Sequence, residues 1–184
     1  MLDPKVYPLF RVVDVLLDAT KSVSVRELSK QAKCSPSAAK GVVDYLVKQR
    51  MLDAEFVGKS RLVRFKRDSL LVKEARKICT LMRLEQSGFL SELQERYPNL
   101  LSAVLYGSAA RGEDDATSDL DVVIIVGSHG KPVPLSSERR LKRELSLSMY
   151  TRSEWRALAS TDKVFYENVV LGGVVLFGER PVVS

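Results

Sequence analysis

The chain has 184 residues, 45% of them hydrophobic, enough for one or two domains with a buried core, and no apolar run of about 18 or more that would span a membrane. Its two cysteines, Cys34 and Cys79, show no CxxC spacing, which argues against a zinc site or a disulfide framework; with early charges and no signal-peptide pattern, the expected compartment is the reducing cytoplasm. The net charge of +6 is carried by residues 1–70, where 14 Lys/Arg stand against 8 Asp/Glu, while residues 101–184 hold 10 against 11, an asymmetry that points to a nucleic-acid partner for the N-terminal part.

From Pro8 to Ala19, Leu9, Val12, Val13, Leu16 and Leu17 make one apolar helical face, and Thr20 to Val23 reads as a turn. Ser24-Val25-Arg26-Glu27 has the capping-box pattern and starts a second helix that buries Val25, Leu28 and Ala32. After Lys33-Cys34, Ser35 and Pro36 suit the N-cap and first position of a third helix. Its inner stripe is Ala39, Val42, Val43, Leu46 and Val47, and its outer face carries Ser37, Lys40, Asp44 and Lys48. Two alternating runs follow, Leu52/Ala54/Phe56 and Val63/Phe65, joined by the hairpin tip Gly58-Lys59-Ser60-Arg61. Three helices and a basic hairpin over residues 1–68 resemble the winged helix-turn-helix family. The resemblance implies double-stranded DNA as partner, with Ser35, Ser37 and Lys40 facing bases or phosphates and Lys59, Arg61 and Arg64 serving the wing. Winged helices often dimerise on palindromes, so a homodimer is one expected state.

Residues 69–86 read as a connecting helix, in which Leu71, Ala75, Ile78 and Met82 recur at helical spacing and Lys73, Arg76, Lys77 and Arg83 lie off the stripe. The stripe is expected to be intramolecular core, with a seam to a second copy as the alternative. Residues 87–184 form the second domain, opening on a short helix, Gly88 to Arg96, with Phe89, Leu90 and Leu93 inside and Pro98 beyond its end.

An apolar run (Leu101, Ala103, Val104, Leu105, Tyr106) then stops at Gly107-Ser108. Ten residues separate Ser108 from Asp119-Leu120-Asp121, and a second apolar run continues to Val126. This reads as strand, tight turn, loop, strand. Alternation puts Asp119 and Asp121 on one face, about 6.6 Å of strand apart. Two carboxylates so placed can hold Mg²⁺, which completes its octahedron with phosphate oxygens and water. Gly107 lets backbone approach a phosphate closely, and a helix starting in this loop would aim free N–H groups at an anion.

Gly127 to Pro134 reads as loop, and its His129, the only histidine, as solvent-facing. Glu138 to Arg143 reads as a charged helix or turn whose Arg139, Arg140, Lys142 and Arg143 form a solvated face, with contact to nucleotide or nucleic acid as the alternative. Leu145 to Tyr150 alternates as a third strand, and Thr151-Arg152-Ser153-Glu154 is a capping box ahead of Trp155 and Leu158. A last helix from about Asp162 to Leu171 ends at Gly172-Gly173, and Val174 to Phe177 is a final short strand. The fold class expected is α+β: a winged helix-turn-helix, a connecting helix, and a mixed sheet with flanking helices.

Gly-Ser, about ten residues, then Asp-x-Asp inside an apolar strand resembles the minimal members of the nucleotidyltransferase superfamily, the DNA polymerase beta-like group; Arg111-Gly112 and Ser118 fit as well. The resemblance implies attack by an acceptor hydroxyl on the α-phosphate of a nucleoside triphosphate, ATP by expectation, with release of pyrophosphate. Asp119 and Asp121 would bind Mg²⁺, Gly107 and Ser108 would hold the outer phosphates, and Arg111 would add a charge-assisted contact. The family's third carboxylate belongs on the strand Leu145 to Tyr150, where Ser146 stands in its place and Glu144 is the nearest acid on the same face. Two functions are therefore carried forward. One is transfer of a nucleoside monophosphate to a protein, nucleic acid or small acceptor, with a partner protein as acceptor by resemblance to minimal relatives that modify a toxin. The other is a DNA-binding regulator whose second domain binds nucleotide, or serves as scaffold, without turnover.

Overall fold

The computed structural model describes residues 7–66, 68–130, 135–141 and 143–183. The chain divides into two compact units, Met1–Arg76 and Lys77–Ser184. The division falls inside one helix, α4 (Leu70–Ser87).

In the first unit, α1 (Pro8–Asp18) turns Val12, Val13, Leu16 and Leu17 inward. α2 (Val25–Gln31) is capped by Ser24, whose hydroxyl accepts from the Glu27 N–H at 3.1 Å. Glu27 accepts from the Gln31 side chain at 3.1 Å, so the other half of the expected capping box is diverted to an i,i+4 pair. α3 (Pro36–Lys48) has Ser35 as N-cap to the Ala38 N–H and Pro36 in its first turn, as the sequence predicts. β2 (Leu52–Val57) and β3 (Ser60–Phe65) pair antiparallel in register from Leu52↔Phe65 to Val57↔Ser60, leaving Gly58-Lys59 as a two-residue tip with Gly58 at φ 58°. The stretch expected as a turn before α2 ends instead in a short strand, β1 (Val23–Ser24), paired antiparallel with β3, so the sheet order is β1-β3-β2. A two-residue strand has no period to read; it exists only through its partner. Of the row Leu52, Ala54, Phe56, only Leu52 is buried, because the hairpin runs out past the helices.

α4 corrects the expected core stripe. Leu71 and Ile78 are 54% and 53% exposed, while Val72, Cys79, Thr80, Leu84 and Ser87 are buried. Helical spacing identifies a stripe but not its azimuth: the neighbouring stripe also repeats at helical spacing, and it is the one that packing covers.

In the second unit, β4 (Leu100–Tyr106), β5 (Leu120–Val126), β6 (Leu145–Thr151) and β7 (Val174–Gly178) form a sheet in the order β6-β5-β4-β7. β4 is antiparallel to both β5 and β7, and β5 is parallel to β6. This mixed sheet beside flanking helices gives the expected α+β class. One face carries Ala103, Leu105, Leu120, Val122, Ile124 and Val126 and packs with Phe89 and Leu93 of α5 (Phe89–Arg96) and Leu141 of α7 (Ser137–Leu141). The opposite face carries Val104, Val123 and Ile125, covered by Trp155 of α8 (Arg152–Thr161) and by Val169 and Val170 of α9 (Lys163–Gly172). The capping box opening α8 is complete: the Glu154 N–H donates to Thr151 and the Thr151 N–H donates to Glu154. Among the described residues, neither Cys34 nor Cys79 forms a disulfide. Among the described residues, no helix is long and apolar enough to cross a membrane.

Candidate functional site

The site grows from the turn at the end of β4. Gly107 has φ 73°, the left-handed region in which a side chain is strained, and it opens α6 (Gly107–Arg111). A Cβ on Gly107 would lie 2.5 Å from Asp121 Oδ2, so the bare α-carbon is what lets the acidic strand close on the turn. No side chain caps α6, which leaves the N–H groups of its first turn for an anion.

Strand register sets the neighbours of Asp121. It stands opposite Tyr106 on β4 and Ser146 on β6, so Tyr106, Asp121 and Ser146 form one row on one face of the sheet. Asp119 falls just before β5 rather than within it, and is exposed. Burial first, then the charge of Asp119, raises the Asp121 carboxyl above its ordinary pKa, while Arg111 and Arg143 pull it back. Burial, and then the Asp121 charge, raises the Tyr106 phenol above its ordinary pKa, against the opposing effect of a hydrogen bond with Ser148. Its ring meets Phe165 edge-on at 5.4 Å, and Tyr150, Trp155 and Tyr166 continue the aromatic floor.

The loop between α6 and β5 is tightly organised. Asp115 accepts from the Thr117 hydroxyl at 2.7 Å and the Thr117 N–H at 3.0 Å, and from the Ser118 hydroxyl at 3.1 Å. These bonds hold its carboxyl down to about 2. Asp114 is buried against Arg143 at 2.6 Å, and Arg143 also donates to the carbonyls of Ser118 at 2.7 Å and Asp119 at 3.3 Å. The solvated face expected for Glu138 to Arg143 is thus corrected at Arg143, whose side chain is 6% exposed because a buried carboxylate draws it in. Lys142 lies outside the described residues.

Arg111 is exposed and paired with Glu113 at 2.9 Å. Ser146 occupies the position directly across from Asp121. Glu144 gives its carbonyl to the Leu120 N–H at 2.9 Å and its side chain is exposed. Among the described residues, no group of three or more His, Cys, Asp or Glu is gathered to hold a metal. The donor set, two hard carboxylates whose mutual repulsion a dication would relieve, fits one Mg²⁺ shared with phosphate oxygens. Ser146 offers a neutral hydroxyl and does not extend that set to a second ion.

In the first unit, Ser35, Ser37, Lys40, Lys59 and Arg64 are exposed. Ser35 and Ser37 share a hydrogen bond at 3.0 Å, and Arg64 lies 3.7 Å from Asp53. Arg61 turns back from the hairpin to pair with Asp44 on α3. His129 is exposed, as expected for a loop histidine, and its Nε2 meets the Glu154 carboxylate at 2.8 Å.

Sequence reasoning did not assign Tyr106, Asp114 or Arg143 to the site. Tyr106 carries a usable signal, since it ends the strand antiparallel to the acidic one. The Asp114–Arg143 pair, 29 positions apart, carries none.

A family model described as polymerase beta nucleotidyltransferase matches residues 90–181, half the chain. No curated protein and no solved structure gives a match.

Proposed function

The chain belongs to the polymerase beta nucleotidyltransferase family, and from that membership we propose that its second unit binds a Mg²⁺-bound nucleoside triphosphate, ATP foremost, and transfers the nucleoside monophosphate to an acceptor hydroxyl. A partner protein is the acceptor class put first. The hydroxyl oxygen bonds to the α-phosphorus as the bond to the β-phosphate oxygen breaks, and pyrophosphate leaves. The observation that carries the reading is the closure of Asp121 on Gly107, which joins the anion-binding turn to the acidic strand. Mg²⁺ held by Asp119 and Asp121 would supply charge neutralisation on the triphosphate. Gly107, Ser108 and the first turn of α6 present N–H groups to the outer phosphates. Arg111 adds a positive charge at the mouth, and Glu144 is the acid assigned to take the acceptor proton.

The test is incubation of the purified protein with α-labelled ATP, CTP, GTP and UTP and Mg²⁺, with and without cell extract. Label moved onto an acceptor, and lost in Asp119→Asn, supports transfer and identifies base and acceptor. Absence of label under all conditions overturns it.

A second reading is favoured by Ser146 opposite Asp121: the nucleotide is bound and not turned over, and the protein is a DNA-binding regulator. The DNA partner is supported by the first unit's order α1-β1-α2-α3-β2-β3 with β1-β3-β2 pairing, an order that a winged helix would have, and by its net charge. Mg²⁺-dependent nucleotide binding without transfer, lost in the Asp119→Asn/Asp121→Asn double variant, is the result this reading expects; unchanged affinity in that variant counts against both readings.

A further inference from the structure

We propose that Arg143 and Asp114 are a positioning pair for the metal-binding carboxylates, acting through the backbone of Ser118 and Asp119. The inference rests on the reading that Asp119 and Asp121 hold the ion, and deepens it. Arg143 follows α7 and precedes β6, and it spends all three of its guanidinium nitrogens on the segment before β5. Nη1 binds Asp114 Oδ2 at 2.6 Å, Nε the Ser118 carbonyl at 2.7 Å, and Nη2 the Asp119 carbonyl at 3.3 Å. The charged pair is almost wholly buried, at 6% and 3% side-chain exposure. A buried ion pair is weak evidence for stability, because desolvation of both charges offsets their attraction; in some proteins such a pair serves instead to fix a geometry. Here the geometry fixed is that of one residue, Asp119, which lies outside the ladder and has no strand partner of its own. Asp121 is held by β4 and β6, whereas Asp119 is held by Arg143.

Arginine is the residue this task demands. Its planar fork reaches two carbonyls and a carboxylate at once, while a lysine ammonium on a flexible stem reaches them as a single point. Asp114 supplies the charge that keeps the fork in the interior, and Asp115, through Thr117 and Ser118, shapes the turn that presents the Ser118 carbonyl. The pair is a supporting contact behind an ion ligand, and removal of such contacts weakens metal affinity by about 10- to 100-fold.

The experiment is titration of Mn²⁺ against the full-length protein, with free Mn²⁺ read by electron paramagnetic resonance, alone and with a non-hydrolysable ATP analogue, beside thermal denaturation of each variant. Arg143→Lys is expected to remain folded and to bind Mn²⁺ about 10- to 100-fold more weakly. Should it unfold, Arg143→Met with Asp114→Leu removes both buried charges together, and the same loss of affinity is expected. Asp121→Asn separates the two levels of the argument. If it leaves Mn²⁺ affinity unchanged, the site reading fails and this proposal with it. If it abolishes binding while a folded Arg143 variant binds as the parent does, the positioning role alone is overturned.

Discussion

At Gly107 a methyl group would meet the Asp121 carboxylate. The backbone is left-handed, with φ 73°, and the added carbon would lie 2.5 Å from Asp121 Oδ2. Gly107→Ala is therefore expected to lower stability by about 1–2 kcal/mol through the left-handed conformation alone. It should also push the Asp121 carboxylate off the turn and weaken Mg²⁺-dependent nucleotide binding, checked by denaturant melts and a fluorescent-nucleotide titration. Ser146 offers the complementary experiment. A carboxylate there would face Asp121, whose own pKa is already raised, and like charges directly opposite each other on paired strands are destabilising. Ser146→Asp should melt lower than the parent without Mg²⁺ and show a larger Mg²⁺-induced rise in Tm; an unchanged Mg²⁺ response would show that this row is not where the ion binds.

Secondary-structure elements here are tied together by carboxylates at their ends. Glu92 on α5 accepts from the N–H groups of Ser136 and Ser137 at 2.6 and 2.8 Å, entering α7. Burial raises the Glu92 carboxyl, but these N–H donors and the two serine hydroxyls outweigh it and bring the carboxyl from 4.5 to about 2. A pKa depressed in the folded state gives stability that is fully present above 4.5 and is lost as pH falls toward 2. Glu92→Gln should thus flatten the acid limb of the stability curve in that window and leave its neutral plateau lower, as read from urea midpoints against pH. Glu154 has the same role at α8, where the Thr151 N–H, then His129 and the Thr151 hydroxyl, hold it near 2. Thr151→Ala should cost about 1 kcal/mol as a lost N-cap.

On the scale of the whole molecule, charge and chemistry are segregated. The positive excess lies in residues 1–70 and the Gly-Ser and Asp-x-Asp motif in residues 107–121. If the first unit binds duplex DNA, each phosphate contact contributes about 0.9 to the salt slope, so Lys40→Ala and Lys59→Ala should each flatten that slope by about one unit in affinity measurements across salt concentration. A parental slope would show that the residue meets no phosphate. Arg61→Ala should weaken binding more than Lys40→Ala, because it also leaves the Asp44 charge on α3 uncompensated.

The parts of this protein that a reader could find along the chain are those set by short-range physics. Ser35-Pro36 opens a helix because cap and first turn are adjacent in sequence, and Thr151 and Glu154 close their box within four residues. Gly107-Ser108 and Asp119-Leu120-Asp121 stand out because a tight turn and a buried strand each impose a local pattern. Partnership across distance was decided in three dimensions. Periodicity on α4 marks stripes equally well whichever one packing covers, and Leu71 and Ile78 were left outside. Strand pairing fixed the register that sets Tyr106 and Ser146 on either side of Asp121. Arg143 looked like one cation in a charged run until Asp114 drew it inside, since whether a charge is buried depends on a counter-charge that only folding brings within reach.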